Sequence, residues 1–219
     1  MIRKSKVMRE KSIRTRERIL EASEQLFAAK GFTEASMRDI TSAAKVNLSV
    51  AYYYFKDKEA LLVAVFERYV RPLMDKQLEM LAQAREAAGT DPIPVRKLLD
   101  ALILPRLDGV PETIHRLLMM LFVRRGSFEQ KVFMLLEQET AEVRQKFFEE
   151  FQKTLSVLSA VELRFRMESV EAMIAGWRAI TPFKKGTYPK EITPGAYLEM
   201  FITMVSEIFN APPSLSSAK

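Results

Sequence analysis

Cysteine is absent and His115 is the only histidine, so disulfides and thiolate metal sites are excluded and histidine-based zinc or triad chemistry has little material. No uninterrupted apolar run is longer than Leu117–Val123, far below the ~20 residues of a membrane-spanning helix. Met1–Arg18 has no apolar stretch suited to a signal peptide. The chain is therefore expected to be soluble and cytoplasmic, with no membrane partner, metal or cofactor. Strand-like alternation bounded by hairpin turns is also missing, and no internal repeat is visible. Glycine is scarce, and Gly31, Gly89, Gly109, Gly126, Gly186 and Gly195 fall between segments of helical periodicity, several beside Pro92, Pro111, Pro189 or Pro194.

What remains is 48% hydrophobic residues over 219 positions, enough for a sizeable core in one or two domains. Apolar residues recur at helical spacing, as in Leu62, Phe66, Tyr69 and Leu73, which predicts an all-α fold of about nine helices. The net charge of +6 is concentrated at one end. Arg3, Lys4, Lys6, Arg9, Lys11, Arg14, Arg16 and Arg18 face only Glu10 and Glu17 in the first 18 residues, and the rest of the chain is neutral. Residues 1–14 are read as a flexible basic arm, either a solubilising terminus or a segment that reaches nucleic acid.

A first helix over about Thr15–Lys30 turns Ile19, Ser23, Leu26 and Phe27 to one side and stops at Gly31. Ser36-Met37-Arg38-Asp39 is an acidic variant of the capping box and opens a short second helix. Lys45-Val46-Asn47 makes the turn, Asn47 caps a third helix over Leu48–Phe55, and a long fourth opens at Glu59. Short helices joined by a tight turn match the helix-turn-helix plan.

At 100° per residue, Ala51 and Phe55 face the first two helices, while Ser49 and Tyr53 lie nearly opposite, where a major groove would be. Tyr52 and Tyr54 flank that side, Lys56 and Lys58 follow as phosphate-reaching cations, and Asn47 and Leu48 occupy the tip. The N–H groups capped by Ser36 offer a further anion site. A Tyr-Tyr-Tyr-Phe run is by itself more often core than contact surface, but three adjacent tyrosines span 200° of a helix and cannot all be buried in a small three-helix unit.

Arg16 to Ile19, Ala22, Leu26-Phe27, Gly31-Phe32, Ser36-Met37, Ile40, Ala44-x-Val46 and Tyr52-x-Tyr54-Phe55-x-Asp57-Lys58-Glu59-x-Leu61 together resemble the DNA-binding domain of the tetracycline-repressor (TetR) family. The resemblance implies an all-α homodimer, DNA contact by Lys45 and by the residues named above, and a variable C-terminal domain that binds a small molecule. It also implies a repressor released from a palindromic operator by that molecule. Three positions depart from the pattern. Lys45 stands where glycine is usual, at a turn needing φ > 0; Asn47 replaces Ser or Thr; Ala51 replaces a larger aliphatic.

The domains are accordingly placed at 1–14 (arm), 15–66 (helix-turn-helix), 67–210 (ligand binding and dimerisation) and 211–219 (disordered tail). Beyond residue 67 no nucleophile and base can be paired, and Glu137, Glu139, Glu149 and Glu150 read as solvated surface. Met119, Met120, Phe122, Phe128, Phe133, Met134, Met173 and Trp177 either line a ligand cavity or form ordinary core. His115, Arg124, Arg125 and Arg178 are the polar groups available to orient a ligand. The apolar stripes Phe165, Met173, Trp177 and Leu198, Phe201, Ile202, Val205, Ile208 of the last two long helices suit a two-fold four-helix contact. Pro72 interrupts the hydrogen-bond ladder of the long fourth helix, either as a static bend or as an element of ligand-driven motion. The competing functional readings are a DNA-binding architectural protein without a ligand, and an all-α enzyme.

Overall fold

The computed structural model describes residues 2–108, 111, 113–114, 117–118, 127–180 and 193–214; of the helical residues among these, the side chains of 2–7, 107–108, 127–130, 133, 175, 177–180 and 194 are outside the description. The described residues form eight helices and no strand: α1 (Ile2–Glu34), α2 (Met37–Ala43), α3 (Leu48–Tyr54), α4 (Lys58–Ala88), α5 (Val95–Asp108), α6 (Ser127–Thr154), α7 (Ala160–Ile180) and α8 (Pro194–Asn210). The all-α expectation holds.

The first helix differs from its expected bounds. It starts at Ile2, so the basic segment is helical and continuous with the helix that follows, which corrects the reading of residues 1–14 as a flexible arm. Residues 2–14 contain neither glycine nor proline and are rich in Arg and Lys, which lose little rotamer freedom in a helix. The helix is interrupted where glycine permits it: Gly31 has φ 81° and ψ 165°, a conformation that a Cβ would strain, and one further turn follows.

Two compact units divide the chain. One comprises Met1–Arg71 and Pro111–Glu137, the other Pro72–Val110 and Gln138–Lys219. The division within α4 thus falls at Pro72 rather than at residue 67, and residues 111–137 group with the first unit. In that unit α1, α2 and α3 pack on one another around Ile19, Leu20, Phe27, Ile40, Ala51 and Phe55, with Leu61, Leu62, Val65 and Phe66 of α4 also fully buried or nearly so. Each such large side chain contributes about 1.5–3 kcal/mol on leaving water.

The second unit packs α8 against α5 and α7. Its core gathers Ile93, Leu98, Leu102, Phe147, Phe151, Leu163, Val170, Phe201, Val205 and Phe209, with the Phe151 and Phe209 rings stacked at 4.7 Å. Arg166 closes the end of α8: its guanidinium donates to the carbonyls of Ile208 (2.9 Å), Phe209 (3.1 Å), Ala211 (2.7 Å) and Pro212 (2.9 Å) and to the buried carboxylate of Glu162 (2.6 Å). Ser214 N–H donates to the same carboxylate at 2.8 Å. Residues 211–214 are therefore tied down, which corrects the first part of the expected disordered tail; 215–219 lie outside the described residues. Among the described residues no helix is long and apolar enough to cross a membrane.

Candidate nucleic-acid interface

The second helix opens on a complete capping box. Asp39 N–H donates to Ser36 Oγ at 3.1 Å, while Ser36 N–H (3.1 Å) and the Ser36 hydroxyl (2.8 Å) donate to the Asp39 carboxylate. These bonds, the hydroxyl's foremost, hold the Asp39 carboxyl below its ordinary value. Asp39 thus caps the first turn of α2 from within the chain, beside the N–H groups expected to meet an anion.

The turn out of α2 is a Schellman motif. Val46 N–H bonds back to Thr41 O at 3.0 Å and Lys45 N–H to Ser42 O at 3.1 Å, with Lys45 in the left-handed region at φ 54°. The sequence position that called for φ > 0 therefore adopts it, although it carries a lysine. Arg18 donates to Lys45 O at 3.2 Å, so α1 fastens the turn from outside.

Asn47 takes the N-cap position of α3 with extended backbone, yet its side chain makes no capping bond and is exposed. Ala51 and Phe55 are buried against the unit's core, as the 100° spacing requires, and on the opposite side Ser49 is exposed and Tyr53 is 82% exposed. Tyr52 and Lys56 are exposed and Leu48 is half-buried. Lys45, Asn47, Leu48, Ser49, Tyr52, Tyr53 and Lys56 thus form a continuous accessible strip from the turn to the end of α3.

Two further predicted contacts are turned inward. The Tyr54 hydroxyl lies 2.8 Å from Ser12 Oγ and its ring meets Tyr53 edge-on at 5.2 Å, so that hydroxyl binds α1 instead of reaching a phosphate. Lys58 is corrected more sharply. Its ammonium donates to Phe32 O (2.9 Å), Thr33 O (3.4 Å) and Ala35 O (3.0 Å) and sits 4.3 Å from the centre of the Phe32 ring. These are carbonyls at the end of α1, where a cation is favoured. Lys58 is a helix cap, not a groove cation. Asp57, between the two lysines, caps α4 by accepting from Ala60 N–H at 2.7 Å.

Other side chains that position this strip escaped the sequence reading. Ser12 and Arg16, the latter with its guanidinium 5.4 Å from the Phe55 ring centre, join α1 to the end of α3. Behind them Glu24 accepts from the Tyr69 hydroxyl at 2.7 Å and pairs with Arg68, which also pairs with Glu17. Burial first and the Glu24 bond second push the Tyr69 phenol up to about 12. Nothing local in the sequence marks these contacts, which span 39 to 51 positions along the chain.

The residues expected to line a ligand pocket are not brought together by what is described. His115, Met119, Phe122, Arg124 and Arg125 lie outside the described residues, as do the side chains of Phe133, Trp177 and Arg178. Met134 is 56% exposed, and Met173 is half-buried against the second unit's core. Of the apolar stripes, Phe201, Ile202 and Val205 are buried in that core, and Leu198 and Ile208 pack against it, which corrects their assignment to a contact surface. Phe165 is exposed, and the neighbouring exposed apolar groups are Val157 and Val161 before and in α7, and Met200 and Met204 in α8.

Residues 19–65 match the family model described as bacterial regulatory proteins, tetR family. The HTH-type transcriptional repressor NicS of Pseudomonas putida is 40% identical over 65 residues, 30% of this chain and 31% of that protein. The HTH-type transcriptional repressor NemR of Escherichia coli K12 is 36% identical over 67 residues, 31% of this chain and 34% of that protein. The chain thus spans about a third of the length of these relatives. Over nearly the whole chain the fold is shared with a TetR family transcription regulator from Marinobacter aquaeolei VT8 (TM-score 0.63, 18% identity, 91% of this chain and 97% of that one). It is shared too with NalD, the secondary repressor of the MexAB-OprM multidrug efflux pump in Pseudomonas aeruginosa (TM-score 0.61, 19% identity, 90% and 96%). The likeness to the tetR family of bacterial regulatory proteins is thus confined in sequence to the N-terminal helices, residues 19–65.

Proposed function

We propose that the protein is a DNA-binding transcriptional regulator, a repressor that grips a palindromic operator as a homodimer and lets go when a small molecule binds its C-terminal part. The observation that carries this reading is the strip on α3: Tyr53 and Ser49 stand in solvent opposite the buried Ala51 and Phe55, beside Lys45 and Lys56, while Asp39 and Asp57 are engaged in helix caps. An aromatic, hydroxyl and amide surface flanked by cations suits base edges between two phosphate walls.

Selection of bound fragments from the source genome tests it. A pseudo-palindrome bound with steep salt dependence supports the reading, and recovery of no sequence contradicts it. Tyr53→Ala should weaken binding to the selected site more than to unrelated DNA, whereas Lys56→Ala should weaken both.

The second copy is proposed to cover Val161, Phe165, Met200 and Met204, whose exposure (71%, 69%, 59% and 49%) on two mutually packed helices is unusual for isolated surface. Phe165→Glu with Val161→Glu should then give a monomer in sedimentation. The repressing role is supported by the names of the relatives, and the small-molecule response by the family resemblance alone. Release of the selected DNA by a compound in a binding screen is its test, and an affinity unmoved by every compound favours a ligand-independent DNA-binding protein.

A further inference from the structure

The helix ahead of Thr15 supplies none of the residues of the α3 strip, yet it carries most of the chain's charge excess and is joined to the end of α3 through Ser12. Three observations bear on it. It is one helix with the rest of α1, without a break before Gly31. It is fixed against the end of α3 at two points one turn apart, Ser12 on the Tyr54 hydroxyl and Arg16 on the Phe55 ring. Its exposed cations Arg9, Lys11 and Arg14 form no ion pair with a described residue, whereas in the second unit Arg85, Arg96, Arg106 and Arg166 each pair with a carboxylate.

We infer that the start of α1 is a rigid DNA-backbone rail, aimed by the Ser12–Tyr54 bond, that carries Arg9 and Lys11 along phosphates flanking the bases faced by α3. The inference rests on the DNA-binding reading above and adds a contact surface outside the helix-turn-helix. With a rise of 1.5 Å per residue, the helix projects about 15 Å from Ser12 to Ile2, the length of roughly four base-pair steps. The partner is double-stranded DNA because unpaired cations on a straight helix, tied beside a groove-facing strip, meet the regular charge of a phosphate strand. A flexible arm entering the minor groove would need neither the tie nor the helix.

The direction of the rail separates its cations. Around the helix axis Arg9 stands about 60° and Lys11 about 100° to either side of Ser12, whereas Arg14 is about 160° away, on the far side from α3. Binding of the full chain to a labelled duplex of about 40 base pairs of mixed sequence, between about 50 and 200 mM salt, reads phosphate contacts as the slope of log K against log salt. Arg9→Gln with Lys11→Gln should make that slope shallower by about 1.8 per bound protomer. Arg14→Gln should leave it unchanged, and Ser12→Ala should lose part of the Arg9 and Lys11 contribution with every charge intact. Glutamine keeps the helix, and the circular dichroism of each variant checks that.

A wild-type slope in the Arg9/Lys11 variant overturns the inference, as does an equal loss from Arg14→Gln, which would mark a diffuse, undirected charge effect. Wild-type protein that fails to bind the duplex at all counts against the DNA-binding reading itself, a different result from either.

Discussion

Lys58 decides between two physical accounts of the same side chain, and Lys58→Met tests them. If the lysine is a helix cap, its removal strips three carbonyls, those of Phe32, Thr33 and Ala35, of their donor and removes a cation held 4.3 Å from an aromatic ring. Hydrogen bonds from a charged donor contribute about 1.5–3 kcal/mol each, but these three share one half-exposed ammonium and do not add. One such bond plus a cation–π contact of about 0.5 kcal/mol puts the loss near 2 kcal/mol. In a chain of this size that lowers the melting temperature by roughly 4–8 °C. Methionine keeps the aliphatic stem over Phe32, so packing is little changed. The assay is thermal unfolding by circular dichroism, paired with the salt dependence of binding to a mixed-sequence duplex. The cap account expects the stability loss with the salt slope unchanged. A variant as stable as wild type with a slope shallower by about 0.9 would refute it and restore Lys58 to the phosphate contacts.

Lys45→Gly should stabilise the chain by about 1 kcal/mol, raising its melting temperature by a few degrees, because a non-glycine residue at φ 54° is strained; an unchanged or lower value would show that the lysine side chain compensates. The Tyr69 phenol, pushed up to about 12, holds its proton more tightly folded than unfolded, so its contribution is complete below about pH 10 and is lost as pH rises from 10 to 12. Tyr69→Phe should therefore flatten the fall in stability across that window, as read by urea unfolding at a series of pH values; parallel curves would sink the argument. Arg166→Met should cost about 3–5 kcal/mol by leaving Glu162 buried and charged, and Glu162→Gln combined with it should recover part of the loss in a double-mutant cycle. A double variant as weak as the sum of the singles would mean that the pair is not coupled.

The parts of the interface that were legible in the sequence are those set within a few residues of themselves. The Ser36–Asp39 box, the left-handed position at Lys45 and the two sides of α3 each follow from local spacing, and each is present. Lys58 was misread because its partners lie 23 to 26 positions upstream, and a lysine next to an aromatic run looks the same whether it points to a phosphate or to a helix end. The basic segment was misread because charge composition reports affinity for polyanions but says little about backbone state, and residues 2–14 contain nothing that stops a helix already nucleated by the packed turns after them. The α8 stripe failed for a third reason. Apolar residues at three- and four-residue spacing show that a helix has a buried side without saying which protein buries it. Phe201, Ile202 and Val205 turn to their own core, and Met200 and Met204, one step round the helix, are left exposed. In each case the same tertiary fact was missing, namely which surface α1 and α8 already occupy. That fact also separates the Ser12-tied side of α1, carrying Arg9, from the side carrying Arg14, so equal charges on one helix are expected to differ in their hold on DNA.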